Sequence, residues 1–267
     1  MTGFIAALPM YDWCETRSET DAEWAWLREL IRDAGFDAPD RRSLRNADLP
    51  PVPGGIRDEA GTILAPDPAT LPPDELDFHA LWLHPKLLLA QTCWGPMELG
   101  LANHVTFVGQ PSYDGFEGGR GELYSSAILM RRSAENSHGV AAPSSASPLI
   151  PLDRIRGKRL AYNSLDSMSG IMALTRDLEA LGEGLQIFSE RIATGAHRAS
   201  IAAVAEGRAD VCAIDCRSWR LAQLYKPQAA DVEPVGWTGK RKGLPFITSK
   251  KTPPEVVDVL RDILSRR

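Results

Sequence analysis

Five places in the sequence set small polar or aromatic residues directly after short apolar runs. The richest is A-Y-N-S-L-D-S-M-S-G-I-M-A-L, residues 161–174, which holds Ser167, Ser169 and Gly170 within four positions. A helix that starts near Ser167 leaves its first backbone N–H groups without intrahelical partners. Serine or aspartate at the cap satisfies one of them. A second hydroxyl and a glycine in the first turn would also let an oxyanion approach the remaining N–H groups closely. Taken alone, S-x-S-G is a weak signal that describes a plain helix cap more readily than an anion cradle. Asp166 would repel an anion if it faced inward, so beside such a site it must cap the helix or face solvent.

The other four places carry different chemistry. His197 opens a later helical stretch after Thr194-Gly195-Ala196. A histidine there is either a surface residue near a positive helix end or a donor to an anion or carbonyl oxygen. Asp215 interrupts the apolar run A-D-V-C-A-I-D-C. It either caps the next helix or accepts from a cationic or hydroxyl group of a ligand. Tyr11 and Trp13 follow the first apolar run, and Gln91, Thr92 and Trp94 follow K-L-L-L-A. Their rings suit the core or the wall of a cleft.

Catalytic and metal chemistry find less support. The five histidines, His79, His84, His104, His138 and His197, are not spaced as metal ligands, and the four cysteines form no C-x-x-C pair. Ser167, His197 and Asp215 have the residue types of a hydrolytic triad, but no G-x-S-x-G elbow supplies a strained nucleophile. No catalytic residue is assigned, and no metal or organic cofactor is implied.

These residues are positioned by an alternation of strand-like and helix-like segments. Strands are expected at Phe4–Met10, Lys86–Thr92, His104–Pro111, Leu123–Arg131, Lys158–Asn163, Leu185–Ala193, Ala209–Ile214, Glu233–Thr238 and Leu244–Ser249. Helices are expected at 21–34, 74–83, 167–181, 196–206, 216–225 and after Pro253-Pro254. Residues 39–73 read as a long Pro-, Gly- and Asp-rich loop, and 133–147 as a flexible Ser/Ala stretch. This alternation predicts α/β layers with mainly parallel sheets flanked by helices, in which ligands sit outside the carboxyl ends of strands.

The chain has 267 residues, 43% of them hydrophobic, enough for one large domain or two lobes. A net charge of −5 supplies no basic field for nucleic acid or an anionic membrane. No apolar run reaches the roughly 18 residues that a membrane span needs. The N-terminus lacks the charged and apolar regions of a signal peptide, so the chain as written is expected in the cytoplasm, or in the periplasm if a leader has been removed.

Taken together, G-K-R-L-A-Y-N-S-L-D-S-M-S-G-I-M-A-L, A-T-G-A-H-R-A-S-I-A-A-V-A-E-G-R-A-D-V-C-A-I-D-C and G-L-P-F-I-T-S-K-K-T-P-P-E-V-V-D-V-L-R-D-I-L form a series. It resembles the phosphate/phosphonate-type substrate-binding proteins of bacterial ABC transporters. The resemblance covers most of residues 150–267. It implies the two-lobed type II fold of periplasmic binding proteins, with a ligand cleft between the lobes. Lobe 1 would comprise 1–102 and a return segment 228–267, and lobe 2 would comprise 103–227. By resemblance, Ser167, Ser169 and Gly170 match the oxyanion-binding helix start and His197 the anion-contacting histidine. Asp215 matches an acid that can hold a ligand's amino group, and Tyr11 an aromatic at the end of the first strand. Gln91, Thr92 and Trp94 fall where the first lobe meets the ligand. The implied ligand is a phosphonate- or phosphate-like anion, or an aromatic acid given the tryptophans, and the implied partner is an ABC permease. The rival readings are a cytosolic enzyme on the same fold, of the menaquinone-pathway or pyrimidine-forming type, and a ligand sensor without a transporter.

Overall fold

The computed structural model of the protein describes residues 3–132 and 139–266. Residues 133–138, the first part of the expected Ser/Ala stretch and including His138, lie outside the described residues. The apolar runs build two main sheets. The first part of the chain holds β1 (Ile5–Ala7), α1 (Arg17–Asp33), β2 (Ile56–Arg57), β3 (Ile63–Ala65), α2 (Phe78–Trp82), β4 (Leu87–Gln91), α3 (Trp94–Glu98) and β5 (Val105–Gly109). The middle holds β6 (Gly119–Arg120), β7 (Leu123–Tyr124), β8 (Ser126–Arg131), α4 (Leu152–Ile155), β9 (Arg159–Tyr162) and α5 (Ala173–Ala180). It continues through β10 (Glu190–Ala193), α6 (His197–Ala205), β11 (Val211–Asp215), α7 (Cys216–Tyr225), β12 (Val232–Trp237) and β13 (Arg241–Lys242). The tail adds β14 (Phe246–Ser249) and α8 (Pro254–Ser265).

Two compact units result, residues 1–111 with 244–267 and residues 112–243. Both divisions fall later in the chain than the expected 102/103 and 227/228. The reason is pairing: β5 joins β14 in unit 1, whereas β12 joins β8 in unit 2.

Unit 1 carries the sheet β1-β4-β14-β5, in which β14 runs against its parallel neighbours. Every residue of β4, L-L-L-A-Q, is buried, as expected of a central strand covered on both faces. Trp24, Leu27 and Ile31 form one helical stripe of α1 and pack with Leu260 and Ile263 of α8 against Ala6, Leu8 and Phe246. A second cluster sets Leu81, Trp82 and Met97 against Ile5, Ala7, Leu87 and Ile247. The expected long loop contains the β2–β3 hairpin. It is also tied down by buried Asn46, whose amide donates to the Pro72 carbonyl at 2.9 Å and accepts from the Asp77 N–H at 2.8 Å.

Unit 2 carries the sheet β10-β9-β11-β8-β12, with β10, β9 and β11 parallel and β8 reversed. Ile128, Leu160, Val211 and Ala213 of the sheet pack with Leu174 and Leu178 of α5. The strand expected at 185–193 is shorter, because Leu185–Ile187 forms a 3-10 turn that buries Ile187 before β10 begins. Asp177 of α5 is buried and accepts from the Gly239 N–H at 2.8 Å and from Arg241 at 2.6 Å, which fastens the helix to the segment before β13. Among the described residues, no helix is long and apolar enough to cross a membrane.

Candidate functional site

Because β9, β10 and β11 are parallel, their carboxyl ends lie along one edge of the unit 2 sheet, and a helix starts after each. Ser167 is the cap of the first. Its backbone is extended, with φ −74° and ψ 116°, and its Oγ accepts from the Gly170 N–H at 3.0 Å. The Ser167 carbonyl then accepts from both Ile171 and Met172, so Met168–Met172 form a widened π-type turn before α5. Such insertions recur at functional sites because they re-aim the first turn. Gly170 leaves room for Asn163: a Cβ there would lie 1.8 Å from Asn163 Oδ1 and would displace that side chain. Asp166 is half-buried and is not the cap.

His197 opens α6 through a turn in which Gly195 adopts φ +82°, a conformation glycine adopts without strain. The Gly195 N–H donates to the Asn163 carbonyl at 3.0 Å, which holds the start of α6 beside the end of β9. Ala196 supplies no side-chain cap, so the first N–H groups of α6 have no intrahelical or cap partner from that residue. Asp215 ends β11 and caps α7: its Oδ1 accepts from the Ser218 N–H at 2.9 Å. Its Oδ2 lies 3.4 Å from His197 Nε2, and the same nitrogen lies 2.8 Å from Ser169 Oγ. Ser169, His197 and Asp215 therefore form one contact chain across three helix starts.

Electrostatics follow from burial. Desolvation lowers the pKa of His197 below the ordinary histidine value, with Asp215 pulling the other way. A neutral ring with its proton on Nε2 is matched to Asp215 and Ser169. His197 Nδ1 is buried and has no hydrogen-bond partner, and the same holds for Asn163 Oδ1 and for the hydroxyls of Ser125 and Ser126. Buried polar groups are normally paired, so several unpaired ones together mark a place where a ligand or water completes the bonding.

Ser125 and Ser126 were not singled out by the sequence. Register explains why they matter: Ser126 lies opposite Asp215 because β8 is reversed relative to β11. A reversed strand presents its beginning at the edge where its neighbours end, so a search of strand ends alone misses it. Thr238, just past β12, lies at the same edge and its Oγ1 accepts from the Ser126 N–H at 2.8 Å.

The remaining candidates belong to unit 1. Tyr11 is buried in the turn after β1, and its carbonyl accepts from Trp13 N–H and Thr16 Oγ1. Gln91 ends β4, and its carbonyl accepts from Trp82 Nε1 at 2.9 Å. Trp94 opens α3, packs on Phe107 with ring centroids 5.9 Å apart, and donates to Gln110 Oε1 at 3.2 Å. These residues share the edge where β1, β4 and β5 end. Thr92 Oγ1 and Gln110 Nε2 at that edge are buried without partners.

A family model of the ABC transporter phosphonate periplasmic substrate-binding proteins matches residues 99–266, well over half of the chain. The chain belongs to this family. Its fold agrees with solved structures. PhnD1 of Prochlorococcus marinus, solved in complex with methylphosphonate, gives a TM-score of 0.61 at 13% identity, covering 98% of this chain and 84% of its own. A binding protein component of an ABC phosphonate transporter from Pseudomonas aeruginosa gives 0.59 at 14% identity, over 97% and 72%. A Xanthomonas citri protein solved with chloride ion gives 0.59 at 14% identity, over 98% and 83%. A search of curated proteins gives no match. This family member thus has the two-unit α/β fold of periplasmic binding proteins that the sequence pattern implied.

Proposed function

We propose that the protein binds a small phosphonate- or phosphate-like oxyanion as the periplasmic solute-binding component of an ABC importer, delivering it to a permease. The observation that carries this reading is the edge of the unit 2 sheet. There, three helix starts, the Ser169–His197–Asp215 chain and four unpaired buried polar groups come together.

The chemistry fits an oxyanion. Helix starts offer N–H groups and the positive end of the helix dipole. Asp215 is less of an obstacle than an isolated carboxylate, since Oδ1 is bonded to the α7 start and Oδ2 faces His197. Its role is to orient the ring. A proton added at His197 Nδ1 would have no acceptor among the described residues, and an anionic ligand oxygen would supply one. Ser167, Ser169 and Gly170 are proposed to shape the cradle, with Ser125, Ser126 and Asn163 as added contacts. Tyr11, Gln91, Thr92 and Trp94 are proposed as ligand contacts on unit 1. Because Asp215 is already engaged twice, an unsubstituted phosphonate fits unit 2 better than one whose amino group needs that carboxylate.

A thermal-shift panel tests the reading with methylphosphonate, phosphite, phosphate, aminoethylphosphonate, alkylsulfonates and benzoate. A specific ligand at about 100 times its Kd stabilises the folded state by roughly 2.7 kcal/mol. Methylphosphonate, phosphite or phosphate should raise the midpoint most. A panel led by benzoate or sulfonate, with phosphorus oxyanions inert, overturns the assignment.

A further inference from the structure

Of the buried polar groups left open at the oxyanion edge, Asn163 Oδ1 sets the narrowest condition on what binds there. Its place is fixed by the turn before α5. A Cβ on Gly170 would lie 1.8 Å from Asn163 Oδ1 and 3.0 Å from Ser167 Oγ, so both oxygens crowd the same side of that glycine. Ser167 Oγ is engaged by the Gly170 N–H at 3.0 Å, and Ser169, one residue earlier, meets His197 Nε2 at 2.8 Å. The Asn163 carbonyl accepts from the Gly195 N–H at 3.0 Å, which ties the same residue to the turn that presents His197. Asn163 Oδ1 itself is closed to solvent and receives no hydrogen bond.

The open groups differ in how they can be satisfied. The hydroxyls of Ser125 and Ser126 rotate and can donate to an anionic oxygen. His197 Nδ1 can take up a proton and then donate. An amide oxygen can do neither, because it only accepts and does not titrate. Beside a ligand oxygen without hydrogen it sets lone pairs against lone pairs and keeps the cost of an unmade bond. Beside a P–OH it accepts a hydrogen bond. Phosphorus oxyanions keep a titratable second proton near neutral pH. A sulfonate of the same shape has none.

We propose that Asn163 is a specificity-determining residue of the oxyanion site, selecting a phosphorus oxyanion that keeps one P–OH by accepting from that hydroxyl. The inference rests on the oxyanion reading of the unit 2 edge. Calorimetric titration of the full chain with methylphosphonate and with methanesulfonate tests it, at a pH below the second ionisation of the phosphonate. Both ligands are then tetrahedral monoanions of one shape, and only the phosphonate carries an O–H. Wild type should prefer methylphosphonate by about a hundredfold or more, since a site built to bond a ligand hydroxyl rejects the analogue that lacks it. Asn163→Leu should cut that preference to about tenfold or less, whereas Asn163→Asp, which keeps the acceptor, should retain it. A merely structural Asn163 would weaken both ligands alike, so an unchanged ratio in folded Asn163→Leu overturns the proposal. Wild-type affinities for the two ligands within a few-fold of each other overturn it as well. If Asn163→Leu does not fold, Gly170→Ala displaces the same oxygen, and an unchanged ratio there overturns it. No binding of either ligand to wild type would instead overturn the oxyanion reading itself, and this inference with it.

Discussion

At the scale of single residues, the histidines carry the sharpest consequences. His84 is held as a neutral ring: its Nε2 meets the Pro50 carbonyl at 3.0 Å and its Nδ1 accepts from the Lys86 N–H at 3.1 Å. Burial lowers its pKa, as it does for His197. For a histidine whose folded pKa is depressed, folded and unfolded chains are equally neutral above about pH 6.5. Below that value the unfolded chain takes up protons that the folded one resists, so stability is lost until the folded pKa is reached. Unliganded protein should therefore melt at progressively lower temperature between about pH 7.5 and 5.5, and His84→Gln or His197→Asn should each flatten the slope. A flat wild-type profile would contradict the burial account of both rings. Ligand binding should work the other way at His197, because an oxyanion beside Nδ1 favours the charged ring. Calorimetry in buffers of different ionisation enthalpy should show proton uptake on binding near pH 7.5, and His197→Asn should remove the histidine's share. An unchanged proton count in that variant would detach His197 from the ligand.

At the scale of elements, the turn between β9 and α5 is the one proposed to shape the oxyanion site. Replacing Gly170 by alanine would favour the helix by up to about 1 kcal/mol from propensity alone. The new methyl, however, would occupy the place of the Asn163 amide oxygen, 1.8 Å from its position. Gly170→Ala should therefore keep the midpoint of thermal unfolding within a few degrees while weakening oxyanion affinity about tenfold or more. Full affinity in this variant would show that Asn163 and the turn do not shape the site. Asp177 acts differently, since it fastens α5 through buried bonds to Gly239 and Arg241. Asp177→Ala strands those partners and should cost about 2–4 kcal/mol of stability by denaturant titration. A loss below half a kcal/mol would mean the link is idle. Much of this scale was legible in the sequence. Apolar runs ending in N-S-L-D-S, T-G-A-H and A-I-D gave the three strand–helix junctions, because capping residues and strand ends are local signals. The contribution of Ser125 and Ser126 was not legible, since it depends on β8 being reversed and paired in register with β11.

At the scale of the molecule, the two units have separate cores and different continuity. Unit 2 is one uninterrupted segment, 112–243, with its own sheet and apolar cluster, whereas unit 1 is assembled from two pieces. Expressed alone, 112–243 should unfold in a single cooperative transition followed by circular dichroism, and a gradual, non-cooperative melt would show that its core is insufficient. The limits of the units were less legible than their elements. A strand such as β12 carries no local mark of the sheet it joins, and only its pairing with β8 assigns it. Membership of the phosphonate substrate-binding family ties the molecule to transport. The central claim is that Ser167, Ser169 and His197 form the anion cradle of that activity. Calorimetric titration of methylphosphonate into wild type and into the Ser167→Ala/Ser169→Ala/His197→Ala variant tests it most directly. Saturable one-to-one binding by the wild type, weakened at least a hundredfold in a folded triple variant, is the predicted result. Equal affinity in the two proteins would contradict it.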